Sequence, residues 1–336
     1  MNVREKIERI ESLTLRKEGK LSKETLGRES FEKLDDYKNA FMVDRDRIIN
    51  SKAFRRLKDK SQVYTVKKGA HYRNRLTHTL EVSAIARDIG IGIGLNENLI
   101  EAIALGHDVG HSAYAHAGED VLREFLGHFS HSEQSIRVLT KLEGKGKGLN
   151  LTKEVLDGVL KHSGLGGINS QITLEGVVVR YSDKIAYLNH DIDDSIRAGL
   201  LKEEDLPKEC VKVLGETNEE RINTLVHDFI DNSNKLLNEG KFQVGLSKEV
   251  DEAMLKLRKF MFQNIYGGDF LKEERKIVKI KMEAILNYYM DRIYLMPELF
   301  KTIAKEEGNA RAVADYVAGM TDEFCDNLYE QLFGKK

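Results

Sequence analysis

Leu99-Ile100-Glu101-Ala102-Ile103-Ala104-Leu105-Gly106-His107-Asp108-Val109-Gly110-His111 joins two signals in one short run. Its first half carries apolar residues at i, i+3 and i+4, the signature of a half-buried helix, and the stripe ends at His107. Its second half sets a carboxylate beside an imidazole, with a second imidazole one helical turn on. Histidine is the commonest metal ligand and the usual proton carrier near neutral pH. The run therefore points to a metal site with acid–base groups beside it. Seven of the ten histidines fall between His71 and His131, far more than an even spread would place there.

Outward from this run, nearly every long segment has helical periodicity. Leu76, Leu80, Ile85 and Ile89 form a second stripe, with His78 on its first turn and Gly90, Gly92 and Gly94 as its expected stop. Val63-Tyr64-Thr65-Val66 before Lys-Lys-Gly is the one candidate hairpin. Gly144–Leu149 and Ser163–Asn169 read as loops, and the charged stretch Lys202–Lys208, with Pro207, as a separator. Two prolines, 32% charged residues and no tryptophan suit a helix-rich chain. The expected fold is all-α. Cys210 and Cys325 belong to no CxxC pattern and read as ordinary thiols of a reducing compartment. No apolar run has the length of a membrane span, and the charged N-terminus has no signal-peptide core, so a cytoplasmic location is expected.

A net charge of −2 gives no overall reason to expect nucleic acid. Locally, Arg45 to Arg75 holds eleven Lys/Arg against Asp46 and Asp59. This is either a solvated basic face or a surface that meets a polyanion.

Adjacent His-Asp pairs occur at His107-Asp108, His190-Asp191 and His227-Asp228. The last lies on an amphipathic segment with no other ligand-type residue near, and reads as coincidence. His107-Asp108 has His78 before it and Asp183 after it. Two His and two Asp could make a mixed N/O site for Mn²⁺, Mg²⁺, Fe²⁺, Co²⁺, Ni²⁺ or Zn²⁺. His116 and Glu119, at i and i+3, would share a helix face, as either a surface salt bridge or an imidazole oriented by a carboxylate. Asp183, Tyr187 and Asp191 fall at i, i+4 and i+8, again on one face.

The set His78…His107-Asp108…Asp183 resembles the metal signature of the HD-domain phosphohydrolases. Asp44-Arg45-Asp46-Arg47-Ile48-Ile49, Ala53–Leu57, Gln62-Val63, Arg73–His78, His116–Glu119, Asp183–Tyr187 and Val313–Asp322 narrow the likeness to the deoxynucleoside triphosphate triphosphohydrolases, the dGTPase-like group. It spans roughly residues 27 to 325.

The resemblance implies an N-terminal helical arm over 1–40, an HD core over 41–200 and a C-terminal helical region over 201–336 packed on that core. It implies hydrolysis of a dNTP to deoxynucleoside and inorganic triphosphate, with His78, His107, Asp108 and Asp183 holding a divalent metal, Mn²⁺ or Mg²⁺ foremost. His116 and Glu119 would be the catalytic dyad, with His111 and His131 at the reacting phosphate. Arg56, Arg75 and Lys184 would bind phosphates, while Gln62, Tyr187 and Asp191 would meet the sugar; Tyr187 against the ring would leave no room for a 2′-hydroxyl. A homo-oligomer, with or without an allosteric nucleotide, is also implied. In one departure, Ser112-Ala113-Tyr114-Ala115 stands where the family usually has a proline and an aromatic, which leaves this turn less constrained by sequence. The alternatives are another HD-type nucleotidase or phosphodiesterase, or a non-catalytic binder of nucleotides or single-stranded nucleic acid through the basic 45–75 segment.

Overall fold

The computed structural model describes residues 1–63, 72–163 and 170–334, and the fold is all-α. Among the described residues the only β-type pairings are isolated bridges, Arg28 with Thr152 and Ser61 with Asn74. The hairpin expected over Val63–Val66 lies outside the described residues from Tyr64 on, as do His71 and residues 164–169 of the expected loop. Among the described residues, no helix is long and apolar enough to cross a membrane.

Tertiary contacts group the chain into two compact units that alternate along the sequence. One comprises Met1–Ile49, His78–His107 and Asn150–Gly268; the other comprises Asn50–Thr77, Asp108–Leu149 and Asp269–Lys336. One of the boundaries falls on the His107–Asp108 peptide bond.

In the first unit, the helix Glu97–Gly106 starts where the Asn96 side chain accepts from the backbone N–H groups of Asn98 and Leu99 (3.1 and 3.3 Å). Its stripe of Leu99, Ile100, Ile103 and Ala104 is buried, as the spacing predicts. The helix Arg75–Ile93 differs from expectation at its end and on its surface. It runs through Gly90 and Gly92 and stops only at Gly94, whose φ is +87°. A Cβ on Gly90 would lie 2.2 Å from Ile100 Cδ1, and one on Gly92 would lie 2.7 Å from Ile230 Cδ1. These glycines allow close helix packing and are not stops. Leu80, expected in the buried stripe, stands 51% exposed, while Val82, Ala86 and Ile89 are fully buried.

Buried carboxylates tie the segments of this unit together. Glu11, on the helix Val3–Thr14, accepts from Ser22 N (2.9 Å), Asn39 Nδ2 (2.7 Å) and Asn96 Nδ2 (3.2 Å). Glu175, in the first turn of the long helix Leu174–Arg197, accepts from the backbone of Lys20 (2.8 Å) and Asn96 (3.0 Å). Glu11 and Oε1 of Glu175 thus satisfy backbone and side-chain donors from distant segments.

The second unit has an apolar core. Val121 and Leu122 of the helix Ala115–Leu126 cluster with Val278, Met282 and Ile285 of the helix Asp269–Met290 and with Val313 and Val317 of the helix Asn309–Ala318. Leu122 is fully buried there. Leu122→Ala should cost about 2–5 kcal/mol through lost transfer energy and a residual cavity. A urea midpoint equal to that of the parent protein would contradict this packing.

Candidate active site

The first unit brings His78, His107 and Asp183 together. His78 Nε2 lies 3.1 Å and His107 Nε2 3.8 Å from Asp183 Oδ1, and both imidazoles are buried. His107 caps its helix, and its Nδ1 donates to Ala104 O at 2.6 Å. A carbonyl only accepts, so this bond puts a proton on Nδ1 and turns the Nε2 edge toward Asp183. Burial alone would raise the pKa of Asp183, but the hydrogen bond to His78 and the charges of His107 and His162 outweigh it and hold the carboxyl below its usual range. Around an ion with bonds of about 2.0–2.2 Å, neighbouring donor atoms sit about 3–3.6 Å apart. The His78–Asp183 separation falls in this range and His107 lies just beyond it, so a small movement of the His107 ring would let two imidazoles and a carboxylate hold a divalent ion.

The helix that carries Asp183 also places Lys184, Tyr187 and Asp191. Arg258 Nε donates to Tyr187 Oη at 2.6 Å, and Tyr266 Oη donates to Asp191 Oδ2. Burial pushes the Tyr187 phenol up to about 12. Burial, with Arg180 and Arg258 near, lowers the Lys184 ammonium, which lies 5.2 Å from the centre of the Tyr181 ring. Sequence reading missed Arg258 and Tyr266, because nothing in their local pattern distinguishes them from an ordinary amphipathic helix and its end.

The second unit holds the other predicted residues. Asp108 follows His107 directly in the chain and is engaged here by Arg75, whose Nη1 donates to Oδ2 at 2.6 Å. His111 Nε2 lies 3.4 Å from Asp108 Oδ1. Burial, reinforced by Arg75 and His131, holds the His111 pKa well below 6.5, so its ring is neutral. Gln62 is buried, and its Oε1 has no hydrogen-bond partner among the described residues. Arg56 is exposed at the end of the short helix Lys52–Arg56.

Glu119 organises three side chains. Its Oε2 accepts from His116 Nδ1 (3.2 Å) and His131 Nδ1 (3.0 Å), while Oε1 accepts from Arg123 Nη2 (3.2 Å). The expected pair is thus a group of two imidazoles on one carboxylate oxygen. Burial alone would raise the Glu119 pKa, but the bonds from His116 and His131 outweigh it and hold the group far below the usual carboxylate range. The His131 ring stacks on His111 with centroids 4.0 Å apart. His116, 66% exposed, has its carboxylate-bound edge anchored and the rest of its ring open to an incoming molecule.

The turn that lacks a proline is held by other means. Tyr114 takes φ +60°, its N–H donates to Asp322 Oδ1 (2.8 Å), and its hydroxyl donates to Asp326 Oδ1 (2.7 Å). Gly110 is required for a different reason. A Cβ there would lie 2.0 Å from Ser135 N and 2.4 Å from the Gln134 carbonyl carbon, so the Asp108–His111 run fits against the backbone of the His131–Arg137 helix only without a side chain at this position. Lys60 was not foreseen. It is buried and donates to the carbonyls of His111 and Ala318. Burial and the nearby Arg56 lower its ammonium from 10.5 to about 7.

The basic stretch is not a continuous free face. Arg45 pairs with Glu101 (3.1 Å), Arg47 with Glu32 (2.8 Å) and Arg75 with Asp108, while Lys60 is buried. Lys52, Arg55, Arg56 and Lys58 are the exposed cations of its first half.

Comparison with known proteins adds two family matches. The HD domain profile matches residues 75–188, and the phosphohydrolase-associated domain profile matches residues 244–331. A deoxyguanosinetriphosphate triphosphohydrolase-like protein of Clostridium perfringens (strain SM101 / Type A) is 55% identical over 99% of this chain and 98% of its own length. One of the same name from Clostridium tetani (strain Massachusetts / E88) is 54% identical over 100% of this chain and 97% of its own. A crystal structure of a hypothetical protein from Aquifex aeolicus covers 87% of this chain and 68% of its own at 17% identity, and its TM-score of 0.46 is too low to add to the fold assignment.

Two outcomes test this geometry. Gly110→Ala should displace the His131 helix, and NMR of ¹⁵N-histidine-labelled protein should show His111 and His131 shifted; unchanged spectra would contradict the close approach. Lys60 in the unfolded chain keeps its proton to about 10.5, whereas in the folded chain it loses it near 7. Over that window the unfolded state binds more protons, so this residue makes stability rise with pH. Urea midpoints at pH 7 and pH 9 should show a smaller rise in Lys60→Met than in the parent.

Proposed function

As this chain belongs to the deoxyguanosinetriphosphate triphosphohydrolase-like family of HD-domain phosphohydrolases, we propose that it hydrolyses a deoxynucleoside triphosphate to the deoxynucleoside and inorganic triphosphate. Water attacks the α-phosphorus, the bond from that phosphorus to the 5′-oxygen breaks, and the departing oxygen takes a proton. The substrate is dGTP or dNTPs broadly.

His78, His107, Asp108 and Asp183 would hold a divalent ion, Mn²⁺ or Mg²⁺ foremost. When bound, such an ion lowers the pKa of a water and polarises a phosphoryl oxygen. His116 is the proton donor to the 5′-oxygen, and Glu119 holds its Nδ1 edge and so orients the ring. His131 shares that carboxylate, and neutral His111 offers a hydrogen bond without adding charge. Arg56, Arg75 and Lys184 bind the triphosphate, a role suited to guanidinium forks and a point charge. Gln62 and Asp191 take the sugar hydroxyl end. Tyr187, held at its hydroxyl by Arg258, sits against the ring and excludes a 2′-hydroxyl.

The observation that carries this reading is the His116–Glu119–His131 group. Two imidazoles on one buried carboxylate oxygen form proton-transfer equipment that a pure binder has no use for. Incubation with each dNTP and Mn²⁺ should release intact triphosphate; stepwise release of monophosphate would overturn the reading in favour of another HD phosphohydrolase. His116→Ala should retain metal and lose about 10²–10⁴-fold in turnover. His107→Ala should lose metal and activity together. Metal content by mass spectrometry beside steady-state rates separates the two, and a fully active His116→Ala protein would remove His116 from the mechanism.

A further inference from the structure

His162 has no part in the ligand set above, yet it is built like His107. Each is the residue that caps its helix, Lys153–Lys161 for His162 and Glu97–Gly106 for His107. Each donates Nδ1–H to the carbonyl three residues back, at 2.7 Å to Val159 and 2.6 Å to Ala104. Each is buried, and their ring centroids are 4.9 Å apart. One donor atom each of His107, His162 and Asp183 lies within 4.8 Å of the others. His190, also close by, is turned toward Glu81 at 3.2 Å.

We propose that His162 is a further metal ligand, so that the first unit alone supplies three imidazoles and one carboxylate. This rests on the reading of His78, His107 and Asp183 as ligands. The hydrogen bond to Val159 commits Nδ1 as a donor, so Nε2 is the ring nitrogen that would meet an ion. The added imidazole has a chemical consequence. Nitrogen donors favour Fe²⁺, Co²⁺, Ni²⁺ and Zn²⁺ over Mg²⁺, which prefers an all-oxygen shell. With His162 added to the ligands, the preference of the site would shift from Mg²⁺ toward Fe²⁺, Co²⁺, Ni²⁺ and Zn²⁺.

The test uses full-length protein labelled with ¹⁵N-histidine and stripped of metal. Addition of Zn²⁺ should move the Nε2 resonances of His78, His107 and His162 together, at one equivalent. Movement of His78 and His107 with His162 unmoved would overturn this inference alone. No movement of His78 or His107 would overturn the metal site itself. As a second measurement, Co²⁺ titration of His162→Gln followed by visible absorption should show shifted bands and affinity weakened about tenfold or more, with a smaller change for Mg²⁺ by competition. Bands and affinity identical to the parent would also overturn the assignment.

Discussion

Asp183 is a carboxylate set among imidazoles inside a largely buried helix, and the geometry of the first unit is arranged around keeping it charged. Burial of an ionised carboxyl is costly unless neighbours compensate. Here His78 supplies a hydrogen bond, and His107 and His162 add favourable charge. The helices that bring these rings together meet through close contacts, such as Gly90 against the Ile100 side chain, where a larger residue would make Ile100 shift. The backbone carbonyls of Ala104 and Val159 then set which nitrogen of His107 and of His162 faces outward. Helix ends, glycine contacts and tautomers all serve one donor cluster.

Glu119 plays the corresponding part in the second unit. It too is buried and kept ionised, by His116, His131 and the Arg123 guanidinium. The two carboxylates serve different ends. Asp183 presents converging donors with separations that suit a cation, whereas Glu119 takes hydrogen bonds from two rings and leaves one of them, His116, exposed. A buried carboxylate under an exposed imidazole makes a stable base for proton transfer. The Tyr114 turn beside it depends on Asp322 and Asp326, two residues far along the chain that replace the constraint a proline would impose.

Much of this was legible in the residues. Periodicity of 3.6 marked the helices, and the i, i+3 spacing of His116 and Glu119 foretold their hydrogen bond, because such spacing alone puts two side chains on one helix face. His131 on the same carboxylate oxygen was not foreseen. It comes from a different helix, and no local spacing encodes that meeting. Gly90 and Gly92 read as stops because glycine often ends helices; their use as contact points depends on Ile100 and Ile230, which sequence does not show to be neighbours. His162 was not foreseen, because nothing in its local pattern shows that His107 and Asp183 lie beside it. Lys60, Arg258 and Tyr266 gave no local signal at all.

The sequence by itself determined the all-α class, the family and the kinds of donor available, because hydrophobic period and residue chemistry are local properties. Tertiary structure decided which donors converge, which tautomers they adopt and which carboxylates stay charged. Those properties depend on distances of 3 to 5 Å between residues far apart in the chain, such as His78 and Asp183, 105 positions apart. Only packing sets such distances, and with them the desolvation that shifts each pKa.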